Sequence, residues 1–318
     1  MSLRAFGQES KSAREEKEEG EGVMKGREAF LFAAILLLLS VNYARAGTWE
    51  TLQVPGATSN SVAAGVDGGN IVGWYTDTSW NAHGFLYDGS SSKFLNAFSS
   101  PWTQALGISG NNIVGACGLG GFLYNGTNYQ ILNIPGSPYY GKSATDIDGS
   151  NIVGVYSDDS GQQHGFLFNG SSYSTIDPPG STTTYINGIS GNNIVGQYSY
   201  SGGVSGFVYN ISSGTTTDLS SLGFITIYCI DGDNIIGRAW GPHNVLYNMK
   251  TQATTIIDMP GVLDSEPYGI SGNKIVGRYL DASYVNHAFV YTIPEPASSL
   301  LIGIGAAFLS LRRRCRKP

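Results

Sequence analysis

Basic residues are scarce in the body of this 318-residue chain, and most of those present lie near its two ends. Residues 47–293 contain 6 Lys and Arg against 16 Asp and Glu, which gives 6 − 16 = −10. Proteins that bind nucleic acid need clustered cations to face the phosphates. The body therefore has no footprint for nucleic acid, and a cation, a neutral glycan or another protein is a more natural partner.

Cysteine is also rare. Cys117, Cys229 and Cys315 form no C-x-x-C pair and no even framework of disulfides. We expect Cys117 and Cys229 to be small buried thiols, with a disulfide or metal ligation as the alternative. Cys315 belongs to the basic C-terminal tail.

The sequence contains no common catalytic signature. We find no G-x-S-x-G, no H-E-x-x-H, no P-loop and no dinucleotide fingerprint. We therefore predict a protein that is not an enzyme and has no cofactor. Two carboxylates brought together by the fold could still cleave a glycan, so a hydrolase or lyase remains the alternative.

A repeated unit dominates what is present. Charged residues make up only 13%, while Gly (44) and Tyr (19) are abundant, a composition typical of strands and turns. The motif I-V-G, once as I-I-G, recurs at intervals of 39 to 42 residues. Its six copies begin at Ile71, Ile113, Ile152, Ile194, Ile235 and Ile275.

Each unit is predicted to form four short strands. Strand a ends at G-I or D-I, strand b is I-V-G-x-Y, strand c is G-F-L-Y, and strand d precedes P-G. The turns between a and b, such as S-G-N-N, suit tight hairpins. Four strands in about 41 residues indicate a β-propeller blade, whereas a β-solenoid would need a shorter repeat.

The ends of the array predict how the ring closes. The last unit stops after strand c, at H-A-F-V-Y-T-I, and the segment T-W-E-T-L-Q-V-P-G near residue 48 is a strand d without its other strands. Together they complete one blade and leave no open sheet edge. The fold class is therefore all-β: a six-bladed propeller over residues 47–293.

All four histidines occupy one repeat position, the start of strand c. In three blades an aspartate precedes the histidine by six residues, across the b–c hairpin, which gives the pairs Asp77 and His83, Asp158 and His164, and Asp281 and His287. The fourth histidine, His243, has no such aspartate. Each pair either ties its own loop or contributes to a rim that binds a divalent cation or a sugar.

That rim is the predicted ligand site. The b–c loops and the P-G loops at Pro55, Pro135, Pro179 and Pro260 should emerge on one face. The repeated tyrosines of strands b and c should be core, whereas additional aromatic residues are candidates for stacking on sugar rings. These candidates are Trp74, Trp80, Trp102 and the pair Tyr139 and Tyr140.

The a–b turns carry a weaker hypothesis. Asp146 and Asp148 in one blade, and Asp231 and Asp233 in another, resemble fragments of oxygen-rich calcium loops, but the acidic residue that closes an EF-hand is missing. Hairpin turns are the simpler interpretation, and calcium binding is the alternative.

The N-terminal end is typical of a targeting segment. Residues 24–46 combine a basic start, an apolar core and the A-x-A site Ala44-Arg45-Ala46, the three parts of a secretory signal peptide. Residues 1–23 precede it and are charged without periodicity. They represent either a start codon assigned too early or a disordered extension.

The C-terminal end, residues 294–318, has three parts in order. Pro294-Glu295-Pro296 is followed by a 15-residue apolar run, Ala297–Leu311, and then by a basic tail that includes Arg312, Arg313 and Arg314. The run is short for a membrane span of about 20 residues, and basic residues stay cytoplasmic. A membrane helix with the large domain outside is therefore expected.

This order resembles the PEP-CTERM sorting signal of Gram-negative bacteria. The resemblance implies recognition by an exosortase, cleavage near the PEP motif, and export in systems linked to exopolysaccharide and biofilm matrix; a plain membrane anchor is the alternative. The repeats also resemble the HAF family of extracellular repeats, through His287-Ala288-Phe289, although the copies at His83 and His164 have H-G-F. The family implies fold and location, not an activity.

From these observations we expect a secreted or surface protein that binds exopolysaccharide or a protein partner through one propeller rim. The first alternative is an extracellular glycan hydrolase or lyase using rim carboxylates such as Asp77 and Asp158. The second is a structural matrix protein without a specific ligand. The membrane would be contacted through the C-terminal helix until that helix is cleaved.

Overall fold

The computed structural model describes residues 47–57, 60–137, 142–239 and 241–294. Within these ranges, 24 strands form six sheets of four antiparallel strands, which confirms the six-bladed propeller. The predicted signal peptide, the residues before it and the C-terminal apolar segment lie outside the described residues. No helix in the described part of the chain is long and apolar enough to cross a membrane.

The strands are numbered in chain order, and each blade runs from the inner strand a to the outer strand d. Blade I contains β2 (Ser61–Asp67), β3 (Asn70–Thr76), β4 (Ala82–Tyr87) and β5 (Ser92–Leu95). Blade II contains β6 (Thr103–Ser109), β7 (Asn112–Cys117), β8 (Gly120–Tyr124) and β9 (Tyr129–Ile131). Blade III contains β10 (Lys142–Asp148), β11 (Asn151–Ser157), β12 (Gln163–Phe168) and β13 (Tyr173–Ile176).

Blade IV contains β14 (Thr183–Ser190), β15 (Asn193–Tyr200), β16 (Gly203–Asn210) and β17 (Thr215–Asp218). Blade V contains β18 (Phe224–Asp231), β19 (Asn234–Ala239), β20 (His243–Asn248) and β21 (Thr254–Ile256). Blade VI contains β22 (Asp264–Ser271), β23 (Lys274–Leu280) and β24 (Asn286–Thr292), and its outer strand is β1 (Thr48–Thr51). Two short 3₁₀ helices, Ala97–Ser99 and Ser220–Leu222, follow strand d of blades I and IV.

Both ends of the described chain close the ring, as the sequence predicted. β1 pairs antiparallel with β24, so that Thr48 lies opposite Thr292 and Thr51 lies opposite Phe289. Blade VI therefore obtains its outer strand from the start of the propeller and its other three from the end. This arrangement protects the edge of β24 from pairing with another chain.

The hydrophobic core lies between neighbouring blades. The phenylalanine of the G-F-L-Y motif is at most 1% exposed in the five blades that have it, as Phe85, Phe122, Phe166, Phe207 and Phe289. The I-V of the I-V-G motif is buried in every blade. Cys117 and Cys229 are free buried thiols, as expected. The repeat motif is therefore mainly a packing motif.

A β-bulge interrupts strand a at the same position in every blade. The pairing between strands a and b shifts by one residue, for example between Ala63 and Gly65 in blade I. The extra residues are Ala64, Leu106, Thr145, Asn187, Tyr228 and Tyr268. Bulges re-aim side chains and increase local twist, and here all six extra residues line the cavity on the propeller axis.

The bulge also explains why the repeat contains I-V-G. A Cβ atom added to Gly73 would lie 2.0 Å from the carbonyl oxygen of Val62 on the neighbouring strand a. The same conflict, at 1.9 to 2.3 Å from a strand-a carbonyl oxygen, occurs in the other five blades. Only glycine leaves room for this close approach of two backbones.

The two faces of the propeller differ in their connections. Because each sheet is antiparallel in the order a, b, c, d, the b–c and d–a connections emerge on one face, called here the loop face. The a–b and c–d turns emerge on the opposite face, called here the turn face. The four P-G loops thus share the loop face with the b–c loops, as the sequence predicted.

A ring of hydrogen bonds joins the blades on the turn face. The last residue of each strand a accepts a hydrogen bond from the N–H of a glycine in the next blade's a–b turn, at 2.6 to 3.2 Å. The acceptors alternate around the ring as Asp67, Ser109, Asp148, Ser190, Asp231 and Ser271. Each blade is therefore joined to the next by the same backbone donor, with an aspartate or a serine as the acceptor.

The bulge generates a prediction about stability. Gly73→Ala should destabilise the propeller by about 1–3 kcal/mol because the new methyl group overpacks against the Val62 carbonyl. Gly69→Ala is the matched control, since nothing lies within 4 Å of its added Cβ. Thermal unfolding should show a lower Tm for Gly73→Ala alone, and equal Tm values for the two variants would contradict the close approach.

Candidate functional site

The b–c loop of blade I is built around Asp77. Its Oδ1 accepts the backbone N–H groups of Ser79 (2.8 Å) and Asn81 (3.0 Å). Its Oδ2 lies 2.9 Å from Nε2 of His83, which is directly opposite Tyr75 on strand b. The Asp77 carboxylate therefore holds the turn through Oδ1 and the side chain of His83 through Oδ2.

The same geometry recurs in blades III and VI. Asp158 accepts the N–H groups of Ser160 and Gln162, both at 2.9 Å, and its Oδ2 lies 3.5 Å from Nε2 of His164. In blade VI, Asp281 Oδ2 lies 2.9 Å from Nε2 of His287, and Oδ1 accepts two backbone N–H groups of its own loop. The three predicted Asp–His pairs therefore form, each within one loop.

The structure adds two aspartates that the sequence analysis missed. Asp177 Oδ2 lies 2.6 Å from Nδ1 of His164, and Asp258 Oδ2 lies 2.5 Å from Nδ1 of His243. Asp177 and Asp258 directly follow the buried residues Ile176 and Ile257. Asn96 occupies the equivalent position in blade I, and its Oδ1 lies 3.4 Å from Nδ1 of His83. A comparison of blades I, III and V at this position would have found them.

These contacts change the titration of the groups involved. The hydrogen bond with His83 holds the pKa of Asp77 well below its usual range, and the Ser160 hydroxyl and backbone N–H groups do the same for Asp158. Burial lowers the pKa of His164, but the hydrogen bond and charge of Asp177, together with Asp158, outweigh it and raise that pKa. His164 lies between two carboxylates and is the most strongly braced of the four histidines.

Two aromatic residues project from equivalent positions on the loop face. Trp80 and Tyr284 each lie three residues after the loop aspartate, and they are 74% and 77% exposed, the highest values among large apolar side chains of the described residues. Both have left-handed backbone conformations, with φ of 65° and 62°. Blade III has Gly161 at this position, with φ of 84°. The sequence analysis identified Trp80 but missed Tyr284.

The other aromatic candidates are distributed differently. Trp102 is 41% exposed in a connection on the loop face. The prediction that Trp74 is an exposed rim residue was wrong: it is half-buried and lines the axial cavity, because the x position of I-V-G-x-Y faces the axis. Tyr139 and Tyr140 lie outside the described residues.

Three of the four candidate calcium ligands accept hydrogen bonds within the protein. Asp148 and Asp231 belong to the ring of blade-to-blade hydrogen bonds and accept the N–H groups of Gly191 and Gly272. Asp146 lies on strand a and accepts the N–H groups of Ile147 and Ile189, both at 2.9 Å. Asp233 is in the exposed a–b turn. No three acidic, histidine or cysteine side chains converge as a metal site within the described ranges.

A cavity of about 430 Å³ lies on the propeller axis. Besides the six bulge residues, its wall includes Trp74, Gln197 and Arg278, which share the x position of the I-V-G-x motif near the loop face. Arg278 donates to Oε2 of Glu266 through Nη2 (2.6 Å) and Nε (2.9 Å). In the adjacent blade, Nη2 of Arg238 donates to Oδ1 of Asp264 at 2.8 Å. The sequence analysis missed this cluster, although Arg238 and Arg278 are two of the few cations in the body.

Burial within the axial cavity keeps its phenols neutral. Burial, with the negative charge of Glu266 beside it, raises the pKa of Tyr228 to about 12. Burial and Glu266 also raise the pKa of Tyr268. The two rings meet edge to face, with centroids 6.0 Å apart. The charged side of the cavity therefore presents paired ions and uncharged hydroxyl groups.

The bracing of His164 predicts a pH-dependent contribution to stability. Because the folded-state pKa is raised, the stabilisation is complete below the ordinary histidine pKa of about 6.5 and is lost as the pH rises through the folded value. His164→Gln should therefore lower the Tm more at pH 5.5 than at pH 8.5. The loss in free energy of unfolding should differ between the two pH values by about 1 kcal/mol or less. In an Asp177→Asn background this difference should shrink. An equal loss at both pH values would contradict the charged pairing.

Asp146 predicts the opposite trend. Burial raises its pKa to about 7, although two backbone N–H groups favour the carboxylate. An acid whose folded-state pKa is raised makes the folded state less stable as the pH rises from its unfolded value toward the folded one. The parent protein should thus lose Tm between pH 5 and pH 7.5 relative to Asp146→Asn. Parallel Tm curves for the two proteins would show that the carboxylate is already ionised at pH 5.

Comparison with known proteins identifies the C-terminal segment. Residues 292–314 match the family described as the PEP-CTERM protein-sorting motif. The match confirms the predicted sorting signal, which implies export to the cell surface and processing by an exosortase. A comparison with curated proteins found no match to this chain.

Several solved propellers have a similar shape at low sequence identity. TolB from Acinetobacter baumannii is 12% identical, with 71% of this chain and 64% of TolB covered and a TM-score of 0.48. The β-propeller domain of the Trilobed protease from Pyrococcus furiosus is 7% identical, with 76% and 97% covered and a TM-score of 0.46. A puromycin hydrolase mutant is 8% identical, with 77% and 56% covered and a TM-score of 0.46. These values do not bear on activity, so the prediction that this protein is not an enzyme stays a prediction.

Proposed function

We propose that this exported propeller is a non-catalytic surface protein that binds extracellular polysaccharide through its loop face. The proposal rests on one observation: Trp80 and Tyr284 occupy the same loop position, exposed and in the left-handed conformation, in the adjacent blades I and VI. A non-glycine residue in this conformation costs roughly 1 kcal/mol or more. Gly161 shows that the loop does not need an aromatic residue there.

The arrangement suits a carbohydrate ligand. A flat aromatic ring covers the apolar face of a sugar, while the edge of the sugar stays hydrated. The Asp77–His83 and Asp281–His287 pairs hold the backbones from which the two rings project. In this proposal the aspartates and histidines brace the loops and the aromatic residues contact the polymer. The sorting motif supports an extracellular location.

The glycan hydrolase alternative has less support from the geometry. It requires two carboxylates near one glycosidic bond. Asp77 and Asp158 belong to blades I and III, which are not neighbours, and each carboxylate already accepts hydrogen bonds from its own loop. A purely structural matrix role would need neither exposed ring. A protein partner could also contact exposed Trp and Tyr side chains, and the retention test below distinguishes it from a polysaccharide.

The test separates binding from stability. The full-length chain, purified in detergent, is incubated with the exopolysaccharide of the bacterium that encodes it, and both retention on the polymer and polymer length are measured. Trp80→Gly and Tyr284→Gly should each reduce retention by about tenfold through loss of stacking. Their Tm should stay equal or rise, because glycine removes the backbone strain.

Ile256→Ala is the matched control, since Ile256 is 61% exposed on the outer strand of blade V. It should leave retention unchanged. Shortening of the polymer would contradict the non-catalytic proposal in favour of a hydrolase or lyase. No retention of the parent protein would instead favour a protein partner or a structural role.

A further inference from the structure

The residues that line the axial cavity differ between blades, whereas the core residues of the repeat are similar in all of them. In each blade the β-bulge directs one extra side chain into it, and those six residues range from Ala64 and Leu106 to Asn187 and Tyr268. The blades otherwise repeat their core residues closely. The variation at these six positions, beside closely repeated core residues, indicates that they serve something other than packing between blades.

The wall of the cavity is strongly asymmetric. Blades I and II contribute apolar groups, Val62, Ala64, Leu106 and Trp74. Blades III and IV contribute neutral polar groups, including Thr145, Asn187 and Gln197. Blades V and VI contribute Tyr228, Tyr268 and the ion pair of Arg278 with Glu266. A ligand that fills the cavity therefore has an apolar side and a hydrogen-bonding side.

The charges of the cavity are already balanced. The two charged residues of the wall, Arg278 and Glu266, are paired with each other, so the wall has no net charge. A charged ligand would have to compete with this part-buried pair, and breaking such a pair leaves an uncompensated charge. A neutral ligand avoids this cost and still finds hydrogen-bonding groups.

Five buried side-chain polar atoms make no hydrogen bond within the described residues, and one of them, Oε1 of Gln197, belongs to a residue that lines the cavity. Gln197 occupies the x position of I-V-G-x in blade IV. The amide of Gln197 offers both a donor and an acceptor, and a hydroxyl group, which also donates and accepts, can pair with either.

We propose that the axial cavity binds one neutral sugar residue, as a free saccharide or as the end of a polysaccharide chain. Its volume of about 430 Å³ falls within the range of small-molecule sites. Gln197 would bind a hydroxyl group, and Trp74 with the apolar wall would contact the face of the ring. The inference rests on the proposed function only for the class of ligand, since the residues of the cavity and the loop face are separate.

The test uses small sugars instead of polymer. Saturation-transfer NMR and calorimetry are carried out on the full-length chain, in a detergent without a sugar headgroup. The probes are D-glucose, D-galactose, D-mannose and N-acetyl-D-glucosamine, with glucuronate and glucosamine as charged comparisons. We expect at least one neutral sugar to bind at concentrations up to about 10 mM, and more tightly than either charged sugar.

Two variants localise the binding. Gln197→Met keeps the side-chain length, removes the unpartnered acceptor and should weaken binding by roughly fivefold or more without lowering the Tm. Leu106→Trp should fill the cavity and abolish binding. The loop-face variants Trp80→Gly and Tyr284→Gly should bind the small sugar like the parent protein.

The outcomes separate the two proposals. Sugar binding that persists in Trp80→Gly but is lost in Leu106→Trp supports the cavity site even if the polymer is not retained. No binding of any neutral sugar to the folded protein overturns the cavity proposal, as does tighter binding of a charged sugar. Binding that is insensitive to Gln197→Met and Leu106→Trp also overturns it and places the sugar elsewhere on the protein.

Discussion

Strands a and b approach each other closely because the residue that faces the strand-a carbonyl oxygen is the glycine of I-V-G, which has no Cβ atom. The contact leaves no room for a Cβ atom in any blade, and it accompanies the bulge that turns six side chains toward the axis. The hydrogen bonds between an aspartate or serine and the glycine N–H of the next blade then fix each blade against its neighbour. Closure by β1 completes a ring that these local contacts have already shaped.

A rigid, repeated frame leaves a few positions free to differ. The x position of I-V-G-x holds Trp74, Gln197 or Arg238 in different blades, and the fourth residue of the b–c loop holds Trp80, Gly161 or Tyr284. Neither position contributes to the core between blades. Any specific recognition by this protein is therefore concentrated on the axis and on the loop face, where the chain varies without loss of packing.

The fold could be predicted because its signals are local. A period near 41 residues, turn residues at fixed offsets and complementary ends determine a six-bladed ring without knowledge of any distant contact. The site was less predictable. Asp177 reaches His164 only across strand d, 13 residues away, and the bulge changes which residues face the axis. Trp74 faces the axial cavity and not the rim. Asp146 accepts hydrogen bonds from backbone N–H groups of its own blade and of the next.

The pairing of Thr48 with Thr292 has a consequence for orientation. β24 runs from the loop face to the turn face, and β1 runs back. The propeller therefore begins and ends side by side on the turn face. Its first and last strands both reach the face opposite the exposed rings of Trp80 and Tyr284, so the closure of the ring leaves the loop face free of chain ends.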